Sequence, residues 1–254
     1  MQPARRLAAE PTTCPEVEVS VVVPVLDEAD NVLPLVAEIR AALAGRRFEV
    51  VYVDDGSTDE TPARLAEAAA RWPELRVLRH DGRYGQSAAI RTGVRAARAP
   101  VVVTLDGDGQ NDPADIPAML AALGAPSAGR PVGLVTGQRT RRRDAWLRRV
   151  SSRVANGVRS RVLGDGVADT GCGLKAFARE TFLDLPYFDH MHRFLPALVQ
   201  REGYAVHVVP VGHRPRRAGR SKYGTLDRLF AGLVDLAGVF WLRRRARVPR
   251  VAPL

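Results

Sequence analysis

Apolar residues recur along the first half of the chain in two alternating forms. Val19–Val25 is a continuous run of mostly β-branched residues, and Phe48–Val53, the shorter Arg76–Leu78 and Pro100–Leu105 repeat it. Runs of this length without polar alternation predict strands buried on both faces. Between them the period changes to that of a helix. Asn31–Leu43 lines up Val32, Leu35, Val36, Ile39 and Leu43, and Glu60–Arg71 and Gln86–Arg98 are further helical stretches. Such alternation implies strands joined by right-handed helical crossovers in a parallel sheet. After a turn-rich connection at Gly124–Pro131, Val132–Thr136 reads as a strand, Ala145–Leu163 as an Arg-rich helix, Met191–Glu202 as a helix and Tyr204–Val211 as a strand. The expected fold class is α/β, a mixed and mostly parallel sheet flanked by helices.

The last periodic segment, Leu226–Leu242, sets Leu226, Leu229, Phe230, Leu233, Ala237, Phe240 and Trp241 on one face, with Arg243, Arg244 and Arg245 directly after it. Such an amphipathic helix either lies in an anionic membrane surface with its basic flank on lipid headgroups or packs on the core with cations at its negative dipole end. The expected organisation is a flexible tail over residues 1–16, one domain over 17–223, and this helix with a basic tail over 224–254.

Three of the buried runs end in acids. Val25 leads to Asp27 and Glu28, Val53 to Asp54 and Asp55, and Leu105 to Asp106, Asp108 and Gln110. Ligands of an open parallel sheet bind beyond the carboxyl ends of its strands, so these acids converge on one rim. Residues two apart in extended chain point the same way. Asp106, Asp108 and the Gln110 carbonyl can thereby face one hard cation, Mg2+ or Mn2+, which keeps waters and substrate phosphates among its ligands. The plainer reading is an Asp/Gly-rich turn with Asp112-Pro113 capping the next helix. Asp54 and Asp55 are placed to accept from the imide of a uracil or guanine ring, while Ser57, Thr58 or Asp59 can cap the helix that follows.

Charge sharpens this picture. The 254 residues carry a net charge of +10, which favours polyanionic partners. Nearly all of the positive charge is Arg; only Lys175 and Lys222 are lysines. No zinc spacing or nucleic-acid recognition motif accompanies the charge, so a nucleic-acid partner is not expected. Cys14 and Cys172 fit no metal or redox spacing. Met1–Val17 lacks the apolar stretch of a signal peptide, and no run of 18 uncharged apolar residues exists to span a membrane. A Gly-rich dinucleotide fingerprint after the first strand and a P-loop are both missing. His80, His190, His192, His207 and His213 form no catalytic spacing and read as structural.

The ordered segments PVLDEADN, VVYVDDGSTDET, GQSAAIRTG and VVVTLDGDGQNDP resemble family 2 glycosyltransferases of the GT-A fold. DTGCGLKAF and HRPRRAGRSKYG resemble the subgroup of dolichyl-phosphate mannosyltransferases and bacterial polyprenyl-phosphate glycosyltransferases. The resemblance covers roughly residues 17–242. It implies that Pro24, Glu28 and Asp55, with the neighbouring Asp54, hold the nucleoside, and that Asp106, Asp108 and Gln110 hold the cation and diphosphate. It implies that Arg139 lies close to the sugar and acceptor phosphates, that Ser152 and Arg153 meet the acceptor phosphate, and that Asp169 and Lys175 belong to an acceptor-side segment. Arg217, Ser221 and Lys222 match a basic loop that closes over the site. Leu26 stands where many relatives have Tyr, and Gly107 and Gly109 are smaller than their usual counterparts, which predicts a less rigid turn.

The activity so implied is transfer of a sugar from a nucleotide-sugar, GDP-mannose or a UDP-hexose, to a dolichyl or undecaprenyl phosphate, with inversion. The protein would then be cytoplasmic and peripheral on the membrane, with an integral-membrane partner conceivable for the product. A phosphate monoester has a second pKa of about 6 and attacks without deprotonation. It needs a cationic clamp, for which Arg139, Arg153, Arg217 and Lys222 are the candidates, rather than a general base. The alternative is the same fold acting on a hydroxyl of a polysaccharide, glycolipid or protein, which requires a base.

Overall fold

The computed structural model describes residues 17–125, 127, 129–140, 157, 159–215 and 225–247, with side chains omitted for 225–231. Among the described residues seven strands form one sheet: β1 (Val19–Val25), β2 (Phe48–Asp54), β3 (Leu75–Arg79), β4 (Val101–Thr104), β5 (Val132–Arg139), β6 (Lys175–Ala178) and β7 (Ala205–Val211). Their order is β3-β2-β1-β4-β6-β5-β7. Every neighbouring pair is parallel except β4/β6 and β5/β6, so β6 alone runs against the others.

Alternate residues of each run serve opposite faces. Val21, Val23 and Val25 of β1, with Val50 and Tyr52 of β2, pack under α1 (Ala29–Ala42), α2 (Thr61–Arg71) and α4 (Ile116–Leu123). Val22, Val51 and Val53 face the other way, under α3 (Gln86–Ala96), α5 (Arg179–Leu183) and α6 (Leu195–Arg201). Burial on both faces is what the unbroken apolar runs of β1, β2 and β4 predict. Gly93 of α3 allows the closest approach: a Cβ there would sit 2.4 Å from Val22 Cγ1.

The structure departs from the expected elements in two places. β6 is a four-residue strand, KAFA, too short and too mixed to read from its pattern. The expected helix at Met191–Glu202 is a 3-10 turn, Met191–Arg193, followed by α6, because Pro196 favours the first turn of a new helix. Of the expected helix at Ala145–Leu163, residues 159–163 are helical and 145–156 lie outside the described residues, as does the tail at 1–16.

The final helix, α7 (Thr225–Arg245), packs on α6 through Leu236, Val239 and Leu242. Asp235 accepts from His190 at 3.1 Å, Arg201 Nε donates to Leu242 O at 3.1 Å, and Arg243 donates to Leu163 O. Of the expected apolar stripe, Leu233 is 55% exposed and Trp241 59%, and Ala237 and Phe240 are exposed with them, beside the exposed Val234; the side chains of Leu226, Leu229 and Phe230 lie outside those described. Arg244 stacks over Phe240 at 5.4 Å.

Candidate active site

Because β6 is the one reversed strand, the carboxyl ends of the other six and the amino end of β6 share one rim. Parallel register sets Val25 beside Asp54, and antiparallel register sets Thr104 and Thr136 beside Lys175. Pro24, Glu28, Asp54, Asp55, Asp106, Asp108, Gln110, Arg139, Asp169 and Lys175 are thus brought to one edge of the sheet. Ser152, Arg153, Arg217, Ser221 and Lys222 lie outside the described residues.

The β1 and β2 ends are laced together. Asp27 takes φ 51°, a left-handed conformation uncommon for a residue other than glycine. Its N–H donates to Ser57 Oγ at 2.9 Å, and its carboxylate accepts from Thr58 N at 2.7 Å. Glu28 N donates to Thr61 Oγ1, and the Glu28 carboxylate accepts from Asn31 Nδ2 at 2.7 Å. Asp54 is buried, accepts from Ser57 N at 2.8 Å and lies 3.3 Å from Arg79 Nε. Asp55 accepts from Tyr84 N, Gly85 N and His80 Nδ1 at 2.9, 2.7 and 2.8 Å. His80 also contacts Thr92 Oγ1 at 3.0 Å, so its role is to hold Asp55 against α3. Gly56 has φ 80°, and a Cβ there would meet the Gly82 carbonyl carbon at 2.7 Å. The tight contact of these two loops explains why glycine follows the Asp54–Asp55 pair.

At the end of β4, Asp106 and Asp108 face one another electrostatically. Burial first and the Asp108 charge second push the Asp106 carboxyl up to about 6, against the pull of Lys175 and Arg139. Gln86 Nε2 donates to Asp106 Oδ1 at 2.8 Å. Gln110 N donates to Asp108 Oδ1 at 3.1 Å, and its side-chain amide turns to Arg214 O at 3.4 Å. Gly107 is compact for a packing reason, since a Cβ would lie 2.3 Å from Val25 Cγ1, and Gly109 has φ 70°. A Cβ on Gly173 would come within 2.2 Å of the Asp106 carboxylate.

Two carboxylates crowded at the edge of a desolvated cradle suit a divalent cation. Among the described residues no group of three or more His, Cys, Asp or Glu side chains is placed to hold one. Two protein carboxylates are the donor set of a cation that retains waters and phosphate oxygens, as Mg2+ does.

Across the rim, Arg139 grips Asp169 through Nε and Nη2, each at 2.7 Å, the bidentate geometry of a strong pair. Lys175 is buried, donates to Cys172 O and contributes to the field at Asp106. Asp112 caps the turn after the acidic segment, accepting from Ala114 N at 3.0 Å, and Arg214 ties Asp112 and Glu38 together at 2.7 and 2.6 Å. Gln86, Gly173 and His192 were not singled out by the sequence pattern. Gln86 and Gly173 had a signal, the GQSAAIRTG and DTGCGLKAF segments; His192 joins the site only through the fold.

The family model of glycosyl transferase family 2 matches residues 20–185. A dodecaprenyl-phosphate galacturonate synthase of Rhizobium johnstonii is 37% identical over 237 residues, covering 91% of this chain and 69% of that one. An undecaprenyl-phosphate 4-deoxy-4-formamido-L-arabinose transferase of Edwardsiella ictaluri is 36% identical over 212 residues, covering 82% and 63%. The chain therefore spans about two thirds of the length of these curated relatives. Among solved structures, the glucosyl-3-phosphoglycerate synthase of Mycobacterium tuberculosis with Mn2+, UDP and glucosyl-3-phosphoglycerate is similar with a TM-score of 0.66 at 22% identity, over 92% of this chain and 81% of that one. The same enzyme is also solved with Mg2+ and UDP. That likeness bears on the fold, which is the GT-A type expected from the sequence. With its acidic rim in place and two thirds of its length matched, the chain belongs to glycosyl transferase family 2.

Proposed function

We propose that this protein transfers a sugar from a nucleotide-sugar to a polyprenyl phosphate. The observation that carries the reading is the order of groups along the rim: Asp54 and Asp55 on β2, Pro24 and Glu28 after β1, Asp106 and Asp108 after β4, and the cations Lys175 and Arg139 beyond. It matches, from nucleoside to acceptor, the order of parts in the two substrates. The activities of the two relatives, both polyprenyl-phosphate sugar transferases, favour the same acceptor.

In this reading Pro24, Glu28, Asp54 and Asp55 hold the nucleoside. Asp106 and Asp108, with Gln110 beside them, hold Mg2+ or Mn2+, which would neutralise charge on the departing diphosphate. An acceptor phosphate oxygen forms the new bond to the anomeric carbon as the bond to the nucleoside diphosphate breaks, with inversion. The phosphate is already ionised, so no residue removes a proton. Arg139, oriented by Asp169, stabilises phosphate charge. Ser152, Arg153, Arg217, Ser221 and Lys222 complete the clamp by their match to the family's motifs.

No helix among the described residues is long and apolar enough to cross a membrane. The exposed stripe of Leu233, Val234, Phe240 and Trp241, beside the exposed Arg244 and Arg245, suits an anionic lipid surface. We assign that surface to the cytoplasmic leaflet, where an integral-membrane partner would receive the product. The test is transfer of labelled sugar into a lipid phase by purified protein with Mn2+ or Mg2+ and polyprenyl phosphate, using GDP-mannose, UDP-glucose and UDP-N-acetylglucosamine in parallel. Label extracted with lipid from one donor and absent with Asp108→Ala supports the reading; metal-dependent nucleotide binding without lipid labelling by any donor refers the activity to a hydroxyl acceptor.

A further inference from the structure

A cavity of about 270 Å3 opens behind Asp106, between α3, β4, β6 and the segment at 192–195. Gln86, Asp106, Gly173, Lys175, His192 and Arg193 are among its walls. It holds the volume of about nine liquid waters, enough for one monosaccharide ring and less than the roughly 300–1,000 Å3 that encloses a drug-sized ligand. Its position decides which part of a nucleotide-sugar it takes. The rim runs β2, β1, β4, β6. With the nucleoside on β2 and β1 and the diphosphate at Asp106 and Asp108, the unit attached beyond the diphosphate falls at β6. This step rests on the proposed function.

The charge lining the cavity is unusual for a sugar site. Neutral hexoses are read by amides, hydroxyls and carboxylates that accept from sugar hydroxyls. Among the described residues the walls carry Arg193 and Lys175, whose pKa burial lowers against the pull of Asp106, beside the single carboxylate of Asp106. Lys175 is buried and gives one of its three protons to Cys172 O, leaving two donors. Arg193 has no ion pair or side-chain hydrogen bond with any of the described residues. His192 is kept neutral by burial and turns Nδ1 to Ser87 Oγ at 2.7 Å, so it supplies no third charge. Arg139 nearby is already neutralised by Asp169.

We infer that the cavity is the donor-sugar subsite and that Arg193, with Lys175, selects a sugar bearing a carboxylate at C5, a nucleotide-activated uronic acid. Arg193 is a specificity residue in this assignment: it pairs with the carboxylate and takes no part in bond making.

Matched donor pairs that differ only at C6 test it: UDP-glucose against UDP-glucuronate, and GDP-mannose against GDP-mannuronate. Affinity is measured by calorimetry with Mn2+ in wild type and Arg193→Gln, with the parent nucleoside diphosphate as reference. Arg193 is partly exposed, and its side chain makes no ion pair or hydrogen bond with the described residues, so the variant is expected to fold; its melting curve checks this. In wild type the uronate of the accepted base binds about tenfold or more tightly than its neutral partner, as one desolvated charge-assisted bond implies. In Arg193→Gln the ratio falls to within about threefold while the nucleoside diphosphate binds as before. Equal or better binding of the neutral sugar overturns the inference and leaves the transferase reading standing. A variant that keeps the uronate preference but has a raised KM for polyprenyl phosphate assigns Arg193 to the acceptor phosphate and also overturns it. Binding of neither pair refutes the nucleotide-sugar reading and takes the inference with it.

Discussion

Replacing Asp106 by Asn is expected to make the metal-free protein more stable while disabling it. The Asp106 carboxyl is pushed up to about 6 from the usual 3.8, by burial first and by Asp108 second. A folded state that binds this proton more tightly than the unfolded chain loses stability as pH rises from about 4 through 6, and the loss is complete above that window. At 1.36 kcal/mol per pH unit the interval corresponds to about 3 kcal/mol. The cavity wall admits some solvent, so roughly 1–3 kcal/mol is the working figure. Asn is a neutral isostere whose carbonyl can still accept from Gln86 Nε2, so the hydrogen bond survives while the repulsion goes. Urea unfolding in EDTA at pH 4 and pH 7.5 measures it. The Asn variant is expected to gain roughly 1–3 kcal/mol at pH 7.5, or roughly 2–4 °C in melting temperature per kcal/mol, and nothing at pH 4. It is also expected to lose Mn2+-dependent nucleotide binding, a trade of function for stability. No gain at pH 7.5, or the same gain at both pH values, refutes the reasoning.

Other substitutions probe the remaining parts of the rim. Gly173→Ala drives a Cβ to 2.2 Å from the Asp106 carboxylate; Mn2+ affinity, followed by electron paramagnetic resonance, falls about tenfold or more, since a 1 Å misplacement costs that much in a fitted site. Asp55→Ala strips acceptors from Tyr84 N, Gly85 N and His80; unfolding in urea shows a loss of about 2–3 kcal/mol, from donors left without partners. The double change Phe240→Ser, Trp241→Ser lowers co-sedimentation with vesicles of anionic lipid several-fold and leaves the melting temperature within about 2 °C, because both side chains are exposed. In wild type that co-sedimentation weakens as salt rises.

The parallel half of the fold was legible because its strands are buried on both faces. β1, β2 and β4 are runs of Val with nothing to confuse the period, and their ends carry the acids in plain sight. β6 was not legible. It contributes only four residues, begins with the charged Lys175 and is recruited by pairing with β4 and β5, a long-range event with no local trace. The same reversal brings Lys175 next to Thr104, which no spacing along the chain suggests. The stripe on α7 was legible as a periodic face but its direction was open: a helical wheel identifies an apolar side without saying whether core or lipid covers it. Val239, Leu236 and Asp235 supply the docking face instead. His80 and His190 each hold a carboxylate in place.

The most direct test of the central claim is to offer two acceptors with the same chain and different heads, polyprenyl phosphate and the corresponding polyprenol, with one accepted labelled donor and Mn2+. Label should pass to the phosphate alone, releasing nucleoside diphosphate in equal amount. Its rate should level off above the second phosphate pKa of about 6, with no further ionisation attributable to a base. Transfer to the polyprenol, or to a hydroxylated glycan in preference to both, contradicts the account.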